Sequence, residues 1–222
     1  MTEAGRLNKS VVRFVLLGLL MVAALVVWHL SSRRADEAAL KPSIDKRAAM
    51  VTRHTFDPAA PPADMPPLVT PETAACDTDY ISNASVSGRS RRLDATHAEV
   101  TVTGVKVTLE LKINIWVPGG ATQQVIEREE GHRQISEHYY QDADKVAEQV
   151  AAERIGTTVT VGGPDLDAEI NTALQKIGAE ITSEYNRRLN PNAAQQRYDD
   201  ITDHSRYDIS AGDAVARVLK EK

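Results

Sequence analysis

The sequence has little of what many functional signatures are made from. One cysteine, Cys76, stands in 222 residues, so no internal disulfide and no cysteine-based zinc site can form. Aromatic residues make up 5%, with two Trp, six Tyr and two Phe, which leaves Val, Ile, Leu and Ala to build the core. Basic residues do not prevail: 26 Lys and Arg face 31 Asp and Glu, for a net charge of −5. Without a basic footprint, nucleic acid is not a partner. No Ser or Cys nucleophile constellation, no phosphate loop and no internal repeat stands out, and Gly162-Gly163-Pro164 reads as a turn.

What is present is a globular composition, 42% hydrophobic and 26% charged, in a length that suits one ordinary domain with attachments. The longest apolar run lies near the N-terminus. Phe14–Trp28 carries no charge, and with Val11, Val12 and Leu30 it gives residues 11–30, about the 20 residues a helix needs to cross a bilayer. Arg13 can snorkel at one end and Trp28 sits at the other interface. The run is long, and HLSSRR offers no small-x-small cleavage site, so it reads as an anchor and not as a cleaved signal. Residues 1–10 form a short tail before it. The span is read with its N-terminus inside and the domain outside.

Residues 31–76 read as a stalk. Pro58, Pro61, Pro62, Pro66, Pro67 and Pro71 crowd one stretch of it, where fixed φ and missing donors stop helix and sheet. Such a segment tends toward polyproline II and acts as a spacer.

The folded domain is then expected over 77–222. Thr108–Val117 alternates without error: Leu109, Leu111, Ile113, Ile115 and Val117 point one way, Glu110, Lys112, Asn114 and Trp116 the other. That is a strand with one buried face. Val100 to Thr103 also alternates, before Gly104, and Asp79–Ser87 reads as a shorter strand. A long helix is expected from Thr122 to Ile155, closed by Gly156. Thr157–Val161 reads as a short strand, Asp165–Leu189 as a second long helix, and Ala193–Thr202 and Asp213–Lys220 as shorter ones. Antiparallel strands followed by helices make an α+β domain.

Chemistry is concentrated at the start of the first long helix, in Arg128-Glu129-Glu130-Gly131-His132. A zincin-type metallopeptidase places His-Glu-x-x-His at such a point. Two imidazoles one turn apart converge on zinc, and the glutamate activates the metal-bound water. Here Glu129 and His132 take the general-base and second-ligand positions, and Arg128 stands where the first ligand belongs. Guanidinium carries only donors and cannot ligate a metal. His132 alternatively serves as a hydrogen-bonded core histidine and Arg128 as a half-buried partner of a carboxylate. Asp199, Asp200 and Asp203 alternatively form a solvated acidic turn.

EREEGHRQISEHYYQDADKVAEQ together with QQRYDDITDHSRYD resembles a bacterial family of uncharacterised domains taken to be secreted zinc-dependent proteases, whose members show His-Glu-x-Gly-His at the helix start and a downstream Tyr/Phe-Asp…Thr-x-His segment. The resemblance covers roughly residues 78–210. It implies a zincin-like fold, Glu129 as general base, His132 as a zinc ligand and His204 as a further one. His138 stays outside that set, since six residues along a helix rotate about 600°. The combined expectation is a single-pass inner-membrane protein with a periplasmic zincin-like domain. Its function is to bind peptide or envelope protein without turnover, or, as the alternative, to act as a zinc peptidase through Glu129, with the Thr108–Val117 strand lying along a cleft and pairing with an extended substrate.

Overall fold

The computed structural model describes residues 41–68, 72–203 and 209–220, and Pro42–Lys222 form one compact unit. Its strands are β1 (Ser43–Lys46), β2 (Met50–Phe56), β3 (Ala75–Arg92), β4 (His97–Pro118) and β5 (Thr158–Gly162). Its helices are α1 (Gln123–Gln141), α2 (Ala143–Ala152), α3 (Leu166–Leu189), α4 (Asn192–Thr202) and α5 (Ala211–Lys220). The anchor expected at residues 11–30, the tail before it, and His204 lie outside the described residues. Among the described residues no helix is long and apolar enough to cross a membrane.

β4 is the axis of a five-stranded mixed sheet. β3 pairs with it antiparallel along nearly its whole length. On its other edge, β5 (antiparallel), β1 and β2 (both parallel) follow one another. The alternation seen in the sequence is realised: Leu109, Leu111, Ile113 and Ile115 are buried. A bulge explains the change of phase at Gly104. Ser87 pairs with Gly104 but Gly88 with Val102, so Thr103 is an extra residue. That single insertion turns the even-numbered Val100 and Val102 onto the face used by the odd-numbered Leu109 and Leu111, and all four are buried.

α1, α2 and α3 cover this face. Ile177, Ile181, Tyr185, Tyr140, Ala143 and Ala147 pack against the strand residues in one core. A second, smaller core on the far side of α1 joins Ile135 to Tyr198, Ala194, Ala214, Val215 and Val218 of α4 and α5. α1 is therefore packed on two sides, by the sheet and by the α4–α5 pair. Tyrosine contributes more than the scarcity of aromatics suggests, since Tyr140, Tyr185 and Tyr198 are all buried in these cores.

Three expectations need correction. The segment read as a stalk over 31–76 supplies β1, β2 and the first residues of β3, so the compact unit starts at Pro42 and not at residue 77. β1 and β2 each pair one edge of β4 over a few residues, too short for a clear hydrophobic period. The Pro-rich stretch described through Leu68 folds back from Phe56, whose carbonyl accepts from Gly119 N at 2.8 Å, and lines a cavity with Pro118 and Val125. Second, the helix expected over Thr122–Ile155 is two helices. Asp142, at φ −96° and ψ 8°, breaks it. Lys46 Nζ of β1 donates to Gln141 O at 2.7 Å and to Asp144 at 2.8 Å, satisfying a carbonyl that the break exposes. Third, Thr108–Val117 does not border a cleft. It lies in the middle of the sheet, and β3, which like β1, β2 and β5 pairs only with β4 among the described residues, forms one edge of the sheet.

Candidate functional site

The Arg128–His132 segment falls on the buried flank of α1, as its sequence suggests. Thr122 caps the helix, its side chain accepting from Val125 N. One turn later Arg128 and Glu129 are buried, with 7% and 1% of their side chains exposed. Gly131 lets Tyr198 of α4 approach: a Cβ on Gly131 would stand 2.0 Å from Tyr198 Oη. That hydroxyl donates to Arg128 O at 3.2 Å. The glycine of the motif is thus fixed by helix packing.

These side chains floor a cavity of about 340 Å³ between α1, the first residues of β3 and the start of α4. Arg128 is its hub. Nη1 donates to Glu129 Oε1 at 2.7 Å, and Nη2 donates to Glu72 Oε1 at 3.2 Å and to Asp199 Oδ1. His132 Nε2 lies 3.0 Å from Asp199 Oδ1, and its Nδ1 lies 2.7 Å from Gln195 Oε1. Burial disfavours charge on Arg128, but Glu129, Asp199 and Glu72 outweigh it and hold its pKa above the ordinary value.

The protonation of His132 follows from its partners. Gln195 Nε2 donates to His132 O at 3.1 Å and to Ser136 Oγ at 2.9 Å, which fixes Gln195 Oε1 as the acceptor facing Nδ1. Asp199 is held ionised: burial raises its pKa, but the His132 hydrogen bond and the charges of His132 and Arg128 bring it below the usual range. An ionised carboxylate only accepts. Both imidazole nitrogens therefore face acceptors, an arrangement that favours the imidazolium. Burial alone would lower its pKa, but Asp199 and Glu129 raise it above the usual value. Glu129, nearly sealed, is pushed up by burial against the pull of His132 and Arg128.

The rest of the wall is polar and well satisfied. Tyr80 Oη donates to Ser136 O at 2.9 Å, and Thr78 Oγ1 lies 3.2 Å from Ser136 Oγ. Cys76 also lines the cavity, but burial and then the Glu129 charge push its thiol up to about 12, so it does not supply a thiolate nucleophile near neutral pH.

Comparison with protein-family models, with curated proteins and with solved structures gives no match.

The site therefore stands on its own geometry. It brings together Glu129 and His132, as the sequence analysis expected, and it seats Arg128 among carboxylates. As arranged, Arg128 stands at the first ligand position and offers no lone pair to a metal. His132 Nε2 and Nδ1 face Asp199 and Gln195, and Glu72, Glu129 and Asp199 accept from Arg128. No group of three His, Cys, Asp or Glu side chains among the described residues is disposed to hold a metal. Two acidic members, like Gln195, went unrecognised in the sequence. Asp199 is no solvated turn residue, since it binds both Arg128 and His132; its place after Tyr198 in the Tyr-Asp pair was the signal available. Glu72 comes from the segment read as stalk, and nothing in the local sequence marks it.

Proposed function

We propose that this domain binds extended peptide or protein segments of the bacterial envelope without cleaving them, on a zincin-like scaffold whose metal has been replaced by a guanidinium. The observation that carries the reading is the pairing of Arg128 with Glu72, Glu129 and Asp199, next to an imidazolium at His132. A guanidinium stands at the first ligand position of the motif and neutralises carboxylates, as a bound dication would. Glu129 Oε1 accepts from Arg128, and with a guanidinium at the first ligand position this pairing supports the non-cleaving reading.

The open edge of β3 supports binding. An unpaired strand edge presents N–H and C=O groups that an extended ligand can meet by adding a strand. Here that edge begins at Ala75, beside the charged cavity. The apolar run over 11–30 anchors the chain in the inner membrane, with the domain in the periplasm.

The test uses full-length protein purified in detergent and incubated with a pool of casein peptides, with and without added zinc. A subset of peptides retained with unchanged mass is the expected result. Cleavage that disappears in Glu129→Gln would establish the peptidase alternative instead, and no retention of any peptide would remove the binding reading.

A further inference from the structure

Three depressions follow one another along β3, and each has a different chemistry. Just before the strand, Glu72 and Thr73 border a cavity of about 660 Å³ whose other walls include Phe56, Met65, Leu68 and Val125, with prolines of the folded-back segment. Along Ala75–Tyr80 lies the charged cavity described above. Along Ser82–Ala84 lies a groove of about 650 Å³ between β3 and α3, lined by Asn83, Gln175, Ser183 and Asn186 among others and by no charged side chain. Glu72 lines both of the first two. Its side chain is 22% exposed, and its contact to Arg128 is the longest of that guanidinium's three carboxylate contacts. Glu72 thus stands at the junction of the apolar and the charged cavity.

From this juxtaposition we infer that the β3 edge reads a side-chain pattern in its ligand: a bulky apolar residue in the Pro-lined cavity, a Lys or Arg at Glu72, and uncharged polar residues toward Asn83. The inference rests on the edge-binding reading above and specifies its ligand. Side chains on one face of an added strand recur every second residue. The apolar residue and the basic one therefore stand two or four positions apart. The apolar cavity falls within the roughly 300–1,000 Å³ of ligand pockets and takes a Leu-, Met- or Phe-sized group. Charge sets the second position: three carboxylates meet one guanidinium and one imidazolium there, and Glu72 is at the mouth. Negatively charged ligand residues are disfavoured at the same place.

The experiment selects binders from a phage-displayed decapeptide library on the full-length protein in detergent. It then maps β3 amide protection by hydrogen exchange and measures affinities of synthetic peptides. The expected binders protect Ala75–Tyr80 and are enriched in one bulky apolar residue two or four positions from Lys or Arg. Leu68→Asp, at an exposed rim position, lowers the affinity of such a peptide about tenfold or more and leaves its Ala-substituted analogue unchanged. Glu72→Gln reduces the preference for the basic residue. Binders that protect β3 without apolar or basic enrichment, or an affinity indifferent to Leu68→Asp, overturn this inference and leave edge binding standing. No binders, or binders that leave β3 unprotected, overturn both.

Discussion

The two buried regions flanking α1 hold the fold by different physics. Under the sheet, Leu109, Leu111, Ile113, Ile181 and Tyr185 are packed in a continuous apolar core, where the stabilisation follows buried area and tolerates changes that conserve volume. Between α1, β3 and α4, Arg128, Glu129, His132 and Asp199 are held by directed contacts among charges. There each member is tolerable only because the others are present. The first region can be thinned a methyl group at a time. The second fails when any one member is removed, and a protein gains little stability from such a cluster over a well-packed apolar one. Its place on the floor of a cavity beside β3 is what the binding proposal rests on.

The sharpest way to break this contrast is Arg128→Met, which keeps volume and deletes the charge. It leaves Glu72, Glu129 and Asp199 facing one another and is expected to destabilise the domain by about 3–5 kcal/mol, read from denaturant unfolding. A loss no larger than that of a single core methyl group would mean that the cluster is screened by water and carries no such cost. A smaller effect is expected from Gly131→Ala. The added Cβ meets Tyr198, a clash worth about 1–3 kcal/mol. Its cost should shrink when Tyr198 is Leu, a coupling that a double-mutant cycle measures.

How much of this was legible in the sequence differs between the same two regions. The apolar core was visible because β4 alternates strictly and α3 keeps a helical stripe, and both elements fell where expected. The bulge at Thr103 was visible only as a change of phase at Gly104. In the polar cluster, Glu129 and His132 were marked by their spacing, and Arg128 by standing where a ligand belongs. Glu72 and Gln195 were not, because a partner in a charge cluster is chosen by tertiary approach and leaves no periodic trace. β1 and β2 were hidden for a related reason: their strands are short and a proline-rich neighbour obscured them. The break at Asp142 depended on Lys46, which lies almost a hundred residues earlier.

The mildest expected effect is on pH dependence. His132 sits above its ordinary value of 6.5, so its contribution to stability is complete below that pH and is lost as pH rises through the folded value. Glu129, raised above 4.5, acts in the same direction at lower pH. Asp199, lowered below 3.8, loses its contribution only in strong acid. The melting temperature should therefore decline from about pH 6 to pH 9, and His132→Gln should flatten that decline. A melting temperature that rises over this interval, or a slope unchanged in the variant, would show that His132 is not the titrating group.

The most direct measurement is the nitrogen-15 NMR spectrum of the histidine side chains of the full-length protein at pH 7, assigned through His132→Gln and recorded with and without one equivalent of zinc. Two protonated nitrogens on His132, with shifts that zinc does not move, are the predicted result. A bare ring nitrogen on His132, or a coordination shift on adding zinc, would contradict it, and the latter would favour the zinc-peptidase alternative.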